Sequence, residues 1–374
     1  MSRPASLTIL QKNLTQNLIQ VRSLSEKSRI WACVKAGGYG HGMDSAIRGF
    51  SDADGLALLE IEEAYEARHL GWNKPLLLLE GIFHERELFE AENLKLEVVI
   101  HNEEQLKWCI NFNGQLTGVW IKINSGMNRL GFNPETMSND KLKKITDDLN
   151  TLRNKVLNKN GLRWLTHFSN ADQPNGCQIP SLAFKKSLSK LNYLPGELLS
   201  LSNSSALVCS PENNSDWVRP GILLYGAASS INPNIKIKKV LSSLLPTQSL
   251  TTEIVGIQNI KKDEYVGYGT NFKSDRAIRV GVAAIGYADG YPRSARNGSS
   301  IFVAGKKCKL IGVVSMDLIT IDLTNCPDAT VGSPVECWGE SISVSEIALA
   351  SNRLCYELFT GVTARVRRTI IATE

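Results

Sequence analysis

Short apolar runs alternate with stretches of helical spacing through the first two thirds of the chain. Turn signals bound eight of these runs, and we predict them to be buried strands at 30–34, 55–59, 75–79, 96–100, 119–123, 162–167, 198–201 and 217–222. Between them, good helix formers predict helices at 60–70, 85–92, 103–111, 141–157 and 180–191. This alternation is typical of an α/β domain.

Two α/β architectures compete for this pattern. The predicted strands are continuously apolar, which favours a parallel sheet that is covered on both faces. A doubly wound open sheet normally carries a glycine-rich phosphate loop after an early strand, and neither Gly-x-Gly-x-x-Gly nor Gly-x-x-x-x-Gly-Lys occurs there. We therefore predict a closed (β/α)8 TIM-type barrel.

The pattern changes from about residue 241. Runs of β type at 250–257, 278–284, 309–314, 319–323 and 364–370 are separated by Gly and Pro turns, and we expect only one short helix, near 344–350. These features predict a second, mostly antiparallel β domain. We set the barrel at residues 8–240 and the C-terminal β domain at 241–374, with 1–7 added to it.

Length and charge exclude several classes of protein. The 374 residues suffice for two domains, and 43% hydrophobic with 21% charged residues excludes a disordered or fibrous chain. The net charge is +5, and the basic residues are scattered, so we predict no nucleic-acid partner. The densest basic cluster, Arg365, Arg367 and Arg368, is interpreted as a solvated strand face.

We expect a cytoplasmic protein without a membrane partner. The first residues contain no apolar run long enough for a signal peptide, and no segment approaches the roughly 20 apolar residues that span a bilayer. The eight cysteines form no Cys-x-x-Cys pair and are expected to be free thiols. The five histidines lack ligand spacing, so we predict no metal site.

Two lysines stand at the carboxyl ends of predicted strands. Lys35 ends the first strand and precedes a glycine-rich turn, and Lys122 lies at the end of another strand before a loop that carries Arg129. Both lysines also have a purely structural interpretation. Lys35 could extend its charged end from the turn into solvent, and Lys122 could be a surface charge that pairs with a glutamate. In a β/α barrel, however, the carboxyl ends of strands carry the active site, where a lysine can bind a carbonyl cofactor covalently.

Polar residues follow three further strands, at His167, at Asn203 with Ser204, and at Arg219. A single histidine in such a place is usually structural. Polar side chains at five of eight strand ends are harder to explain structurally, because buried polar groups need partners. A phosphorylated cofactor would provide those partners.

The ordered motifs of the chain resemble those of the alanine racemase family. They are Val-Lys-Ala-x-x-Tyr-Gly-His-Gly, Lys-Ile-x-Ser-Gly-Met-x-Arg-Leu-Gly-Phe, Asn-Ser-Ser, Arg-Pro-Gly-Ile-x-x-Tyr-Gly, Val-x-Tyr-Gly, Ile-Gly-Tyr-Ala-Asp-Gly-Tyr-Pro-Arg and Ser-Met-Asp. No single string is decisive, but the ordered set covers nearly the whole chain, from Ile9 to Arg367. The two-domain prediction agrees with that family's fold.

The resemblance implies a homodimeric enzyme that interconverts L- and D-alanine and depends on pyridoxal 5'-phosphate. Lys35 would hold the cofactor and exchange the Cα proton on the D side of the substrate. Tyr268, supplied by the partner subunit, would be the opposing base on the L side. The family's reaction supplies D-alanine for cell-wall precursors or serves alanine catabolism, and serine is expected as a slower substrate.

The resemblance also assigns the remaining site residues. Arg219 would contact the pyridine nitrogen, His167 would lie beside it, and Arg129 would reach the cofactor phenolate and the substrate carboxylate. Lys122 matches a lysine that is carbamylated in several family members. The phosphate would be held by Tyr39, Ser204, Tyr356 and the backbone N–H groups around Gly221 and Ile222, and Asn203 would also belong to the cofactor site. The substrate access path would be lined by Tyr287, Met316 and Asp317 of the other subunit.

Four positions depart from the family pattern. Gly37-Gly38 replaces Asn-Ala and is expected to loosen the turn after Lys35, Asn124 replaces Asp, Val313 replaces Arg and Arg367 replaces Pro. None of them is a proposed proton-transfer group. Two other functions are weighed, a non-catalytic cofactor carrier and a fold-related decarboxylase. The first lacks a C-terminal β domain, and the second uses a Gly-Gly-Gly loop that this chain does not contain.

Overall fold

The computed structural model describes residues 3–156, 161–230 and 232–372. Within these residues the strands are β1 (Ser6–Leu10), β2 (Arg29–Cys33), β3 (Gly55–Leu58), β4 (Leu76–Leu78), β5 (Leu96–Ile100), β6 (Gly118–Lys122), β7 (Arg163–Leu165), β8 (Leu198–Ser200), β9 (Trp217–Val218), β10 (Gln248–Ile260), β11 (Ile278–Ala283), β12 (Ser300–Val303), β13 (Lys306–Ile311), β14 (Ile319–Asp322), β15 (Pro334–Trp338) and β16 (Arg367–Ile371).

The helical segments of the same residues are α1 (Gln11–Ser23), α2 (Lys35–Tyr39), α3 (Met43–Gly49), α4 (Ile61–His69), α5 (Glu87–Asn93), α6 (Glu103–Asn111), α7 (Asn139–Arg153), α8 (Gln178–Lys190), α9 (Ser204–Cys209), α10 (Ile235–Leu241), α11 (Val344–Ser351) and α12 (Cys355–Gly361). The five predicted barrel helices are confirmed as α4 to α8, with boundaries that shift by a few residues. The C-terminal end of the helix predicted at 141–157 lies outside the described residues.

The eight predicted barrel strands form one parallel sheet, in the order β8-β7-β6-β5-β4-β3-β2-β9. The sheet closes between its two edge strands, where Arg219 N donates to Ser202 O at 2.9 Å and Asn203 bridges to Arg219. Strands β3 to β6 are buried along their whole length, as expected for strands inside a ring of helices. The predicted (β/α)8 barrel is confirmed.

Bulky side chains fill the amino-terminal end of the barrel. Trp31 stacks on Trp217 with ring centroids 4.2 Å apart and meets Trp120 edge-on at 6.4 Å. The buried Glu97 accepts a hydrogen bond from Trp120 Nε1 at 2.7 Å and forms an ion pair with Arg163. Because this end is closed by packing, only the carboxyl ends of the strands leave room for a site.

The second half of the chain forms an eight-stranded sheet in the order β11-β14-β13-β12-β15-β10-β1-β16. All its pairings are antiparallel except that of β1 with β16, which confirms a mostly antiparallel domain. The long strand β10 pairs with β1, β11 and β15. The N-terminal strand β1 is therefore a member of the C-terminal sheet, and α1 follows it directly.

The expectation of a single helix in this domain was wrong, because α12 follows α11 after a short turn. Its seven residues form a helix because Cys355, Leu358 and Phe359 are buried on one side, which a local propensity reading does not capture. Strands β1, β12 and β15 were also missed. All three are short, and they are stabilised by pairing with strands that are distant in sequence or not predicted.

The basic cluster near the C terminus also differs from its interpretation. Arg365 precedes β16 and forms ion pairs with Asp289 and Asp317, so it does not belong to a solvated strand face. Among the described residues, no helix combines the length and apolar composition that a bilayer crossing requires. The same part of the chain contains no group of three His, Cys, Asp or Glu side chains arranged to hold a metal ion.

Candidate active site

A cavity lies at the carboxyl ends of the barrel strands. It brings together residues that are far apart in sequence but that all follow strands of the parallel sheet or come from α12. Its lining residues are Cys33, Lys35, Tyr39, Leu79, His167, Asn203, Ser204, Ser205, Arg219, Gly221, Ser229 and Tyr356. Eight of the residues predicted from the sequence therefore meet in one place.

Lys35 is the first residue of a left-handed turn. The next four residues, Ala36 to Tyr39, all have positive φ values between 52° and 62° and form one left-handed helical turn. Glycine adopts this conformation without the steric cost that a Cβ imposes. Gly37 and Gly38 therefore avoid that steric cost, and the expected loosening of the turn stays a prediction.

Aromatic rings pack behind this turn. Tyr39 stacks on Tyr225 with centroids 4.7 Å apart and contacts Tyr356 at 5.6 Å. Tyr225 donates its hydroxyl hydrogen bond to Cys33 O at 3.0 Å. Burial, together with Cys33 and the neighbouring tyrosines, raises the pKa of Tyr39 well above its ordinary value, so its hydroxyl stays protonated and able to donate.

The buried His41 connects the turn after Lys35 to the C-terminal domain. Its Nε2 lies 2.8 Å from Thr247 Oγ1, and its Nδ1 lies 3.0 Å from Tyr39 O. Burial lowers the pKa of His41 to about 3, so the ring is neutral at physiological pH. Gly40 also lets α12 approach, because a Cβ there would lie 2.2 Å from Phe359 O.

The end of β9 forms a cradle opposite Tyr39. Gly221 N donates to Ser204 Oγ at 2.9 Å, and a Cβ on Gly221 would lie 2.4 Å from the Tyr39 hydroxyl. Only glycine therefore leaves this space open. Ile222 begins a short 3-10 turn directly after it, and Asn203 caps α9 by accepting from Ala206 N at 3.0 Å.

Arg219 is buried and held rigidly beside this cradle. Its Nη1 donates to Ser200 O at 2.7 Å, and its Nη2 donates to Leu201 O at 3.3 Å and also to Thr166 O. Burial lowers the pKa of Arg219 to about 10, which leaves the guanidinium charged at neutral pH. The carbonyls at the ends of β7 and β8 therefore fix one orientation of this cation.

The site carries an excess of positive charge. Burial, followed by Arg219 and Arg129, lowers the pKa of Lys122 to about 8, and Glu80 opposes this shift. Burial and the same cations lower the pKa of His167 to about 3, so this histidine is neutral. A cavity with this potential is suited to an anionic ligand.

Arg129 lies on the exposed loop after β6. The Asn124 side chain organises this loop, because its Oδ1 accepts from Gly126 N at 3.1 Å and from Asn128 N at 3.0 Å. The amide at this position, where the family usually has Asp, thus still supports the turn that leads to Arg129.

Seven predicted residues do not line the cavity: Lys122, Arg129 and Ile222 of the barrel, and four residues of the other domain. Tyr268, Tyr287, Met316 and Asp317 belong to the C-terminal domain, and none of them is among the residues that line the cavity. Tyr268 is 73% exposed and Met316 is 53% exposed. Within one chain, the structure does not bring Tyr268 to Lys35.

Four cavity residues were missed from the sequence: Cys33, Leu79, Ser205 and Ser229. Cys33 is the last residue of β2, two residues before Lys35, and the position of a strand's end could have indicated that it borders the site. Burial raises the pKa of the Cys33 thiol to about 11, so it is protonated. Ser229 follows the 3-10 turn, where no local pattern indicates its position.

Two family models match the chain in succession. "Alanine racemase, N-terminal domain" matches residues 9–229, and "Alanine racemase, C-terminal domain" matches residues 247–370. Together they cover both parts of the fold.

Individual relatives match over nearly the full length. The alanine racemase of Erwinia tasmaniensis is 40% identical over 368 residues, with 98% of this chain and 99% of the relative covered. A catabolic alanine racemase of Salmonella typhimurium is 38% identical, with the same shares covered. The crystal structure of biosynthetic alanine racemase from Pseudomonas aeruginosa has a TM-score of 0.88 and 35% identity, covering 99% of this chain and 100% of that one.

Proposed function

The chain belongs to the alanine racemase family, whose members depend on pyridoxal phosphate, and from this premise we propose that it interconverts L- and D-alanine. Its relatives include biosynthetic and catabolic enzymes, and the reaction is the same in both roles. We place the enzyme in the cytoplasm, where its eight free cysteines would remain reduced.

The cradle between Tyr39 and Gly221 is the single observation that carries this proposal. A Cβ at Gly221 would fill it, and it is bordered by hydrogen-bond donors and by the end of the strand that carries Arg219. Such a space suits a phosphate group at the late strands of a barrel. Tyr39, Ser204, Tyr356 and the backbone at Gly221 and Ile222 would hold that phosphate.

The other cavity residues would fix the remainder of the cofactor. Lys35 would bind it covalently through its ε-amino group. Arg219 would face the pyridine nitrogen, and because a guanidinium has no acceptor, that nitrogen would stay unprotonated. His167 and Asn203 would stand beside Arg219, where Asn203 Nδ2 lies 3.4 Å from His167 Nε2. Pyridoxal phosphate, when bound, supplies the electron sink that makes the Cα proton of an amino acid acidic.

Racemisation needs two proton-transfer groups on opposite faces of the substrate. Lys35 would remove or return the Cα proton on the D side, and Tyr268 would do so on the L side. Arg129 would bind the substrate carboxylate from the loop after β6. Asp317, Met316 and Tyr287 would line the access path and restrict the size of the substrate, with serine as a slower alternative.

Tyr268 would be supplied by the partner subunit of a homodimer. The support is that Tyr265, Tyr268 and Met316 are large side chains that are exposed on the C-terminal domain. Exposed apolar side chains of this size in one region mark an interaction surface. Head-to-tail pairing in which each C-terminal domain covers the partner's cavity would complete both sites.

Isotope exchange tests the reaction. We expect L-alanine in deuterium oxide to lose its circular dichroism while deuterium enters Cα, with a visible cofactor band in the protein. Tyr268→Phe should keep the band and lower kcat by about 100-fold or more, because one proton-transfer group is lost. Lys35→Ala should lose both band and activity. An unchanged kcat in Tyr268→Phe would refute its role as a base.

Mixed dimers test the shared site. In a dimer of one Lys35→Ala and one Tyr268→Phe subunit, one site combines the intact Lys35 with the intact Tyr268. We expect about half of the wild-type activity from subunits that are each inactive alone. If the mixed dimer stays inactive, the two residues do not act across the interface.

Lys122 is proposed as a carbamylation site. Carbon dioxide reacts with a neutral amine, and the lowered pKa of Lys122, about 8, makes that form far more populated near neutral pH than in an ordinary lysine. The carbamate would place an anion between Arg219 and Arg129. We expect a carbamate carbon resonance in the NMR spectrum after incubation with [13C]bicarbonate, which weakens as the pH falls and is absent from Lys122→Arg. Its persistence in that variant would refute the assignment.

A further inference from the structure

Two segments of the C-terminal domain are fastened directly to each other. Tyr287 N donates to Ser315 O at 3.0 Å, and Ala288 N donates to Met316 O at 3.0 Å. Gly286 permits this approach, because a Cβ there would lie 2.3 Å from Ser315 O. Residues 286–289 and 315–317 thus form one unit, which we call the paired loops.

A buried carboxylate lies inside the paired loops. Asp289 has no exposed surface, and its Oδ2 accepts from Gly286 N at 2.9 Å. Arg3 Nη2 contacts the same oxygen at 2.9 Å, and Arg365 Nε lies 2.9 Å from Oδ1. Asp289 is therefore held between two arginines from opposite ends of the chain.

Both arginines also contact the second of the paired loops. Arg3 Nη2 donates to Asp317 O at 3.0 Å, and Arg365 Nη2 donates to Asp317 Oδ1 at 2.5 Å. Each guanidinium thus bridges Asp289 to Asp317. The segment before Arg365 is fixed as well, since Thr363 Oγ1 donates to Ala288 O at 2.8 Å.

We propose that Asp289, with Arg3 and Arg365, is a positioning network that sets the paired loops for the partner subunit's active site. This inference rests on the proposed function, in which Tyr287 and Met316 serve the partner. None of the three network residues is among those that line the cavity. They act through the placement of Tyr287 and Met316, whose side chains are exposed and are not fixed by their own subunit's core.

The physical basis is the geometry of the network. A carboxylate without solvent exposure needs its charge partners, and two planar guanidiniums with several donors each define one arrangement of the loops. Asparagine at position 289 keeps the size of the side chain but removes the charge that draws both arginines inwards. The loops would then move relative to each other, and the damage would appear in the other subunit's site.

Mixed dimers with separately tagged subunits show which subunit's active site loses activity when Asp289 is replaced. We expect the Asp289→Asn homodimer to lose about 100-fold in kcat/KM for L-alanine, the cost of misplacing a substrate-contacting segment. Paired with a Lys35→Ala subunit, Asp289→Asn should recover about half of the wild-type activity. The subunit with the intact Lys35 then receives intact paired loops from its partner.

The reciprocal mixed dimer should not recover activity. When Asp289→Asn and Lys35→Ala are combined in one subunit and paired with wild type, the only intact Lys35 faces altered loops, and activity should stay near the homodimer value. A network that merely supports its own subunit gives the reverse pattern in the two dimers, and that result would overturn the inference.

Control variants separate this inference from the proposed function. If Lys35→Ala with Tyr268→Phe recovers activity but Asp289→Asn does not, the network assignment alone is wrong. If neither recovers, the shared site and the inference fall together. Arg365→Met, at a partly exposed position, gives the same test should Asp289→Asn fail to assemble. Asp322→Asn breaks a pair with Arg276 in the same domain and should leave activity within about two-fold.

Discussion

The barrel cavity and the exposed residues of the C-terminal domain differ in how their side chains are held. Arg219 is 5% exposed, and backbone carbonyls of two strands fix it. Tyr268, in contrast, is 73% exposed on a short turn of the other domain. The cavity residues proposed to bind the cofactor thus come from one chain, while the proposed opposing base is exposed on the other domain.

This difference predicts that residues proposed to bind the cofactor and the residue proposed as the opposing base respond differently to substitution. Residues of the barrel contribute to the folded state of their own chain, so their substitution should change stability and activity together. Residues such as Tyr268 have few internal contacts to lose, so their substitution should change activity alone. Each prediction below compares a tightly packed position with a more open one, and the largest effect comes first.

The sharpest comparison is Arg219→Lys against Tyr268→Phe. Lysine lacks the planar fork, so we expect kcat/KM to fall about 100-fold. Because backbone carbonyls lose their hydrogen-bond donors, the free energy of unfolding of Arg219→Lys should fall by about 1–3 kcal/mol. Tyr268→Phe should lower kcat by a similar or larger factor while the unfolding free energy changes by less than about 0.5 kcal/mol. Urea titration and steady-state kinetics measure both.

Equal losses of stability in these two variants would contradict the comparison, because they would show that Tyr268 is also part of its own chain's packing. Phe at position 268 retains the ring, so any loss of dimer contacts should be small. Sedimentation of both variants provides the control for assembly.

The junction of the two domains should depend on pH through His41. Its pKa is about 3 in the folded protein against about 6.5 when unfolded, so the unfolded chain binds more protons between these values. The stability that this neutral histidine provides is present above pH 6.5 and is lost as the pH falls towards 3. Between pH 7 and 5 we expect a loss of about 2 kcal/mol.

The variant His41→Gln isolates this contribution. Its unfolding free energy should fall less than that of the wild type between pH 7 and 5, because glutamine does not titrate. Carboxylates and His167 contribute equally to both proteins and cancel in the difference. Identical pH dependence in the two proteins would show that His41 is not buried in the neutral form.

The left-handed turn after Lys35 contains the smallest expected effect, at Gly37, next to a larger one at Gly38. In Gly38→Ala the new Cβ would lie 2.8 Å from Ala46 Cβ at a positive φ, and we expect a loss of about 3 kcal/mol. In Gly37→Ala the Cβ meets nothing within 4 Å, so only the backbone cost of about 1 kcal/mol remains. Thermal unfolding of the two variants checks this difference.

If Gly37→Ala lost more stability than Gly38→Ala, the contact between the new Cβ and Ala46 would not be what destabilises the turn. The same measurement tests whether the glycines relieve strain, since a loosened turn would gain stability from either alanine through the unfolded state.

Prediction from sequence succeeded where one physical rule dominated. All eight barrel strands were found because strands that are buried on both faces must be continuously apolar. The strands β1, β12 and β15 and the helix α12 were missed, since each is short and gains its stability from tertiary contacts. Tyr356 lines the cavity from α12, and only the family resemblance named it in advance.

The candidate site shows the same division. The motifs around Lys35, Asn203 and Arg219 are local strings, and they identify about half of the cavity lining from the sequence. Cys33, Ser205 and Ser229 carry no local signature, because their place in the cavity depends on which strand ends face each other. The hand of the turn after Lys35 is likewise a property of the folded backbone.

The sequence by itself determined the barrel, the β domain and the family, since hydrophobic period and ordered motifs are properties of the linear chain. Only the tertiary structure decided which charges meet. It joined Arg3 to Asp289 across 286 positions, brought Arg365 to the same carboxylate, and placed Lys122 where Arg219 and Arg129 lower its pKa. Contacts between distant residues depend on chain packing, and no local pattern records them.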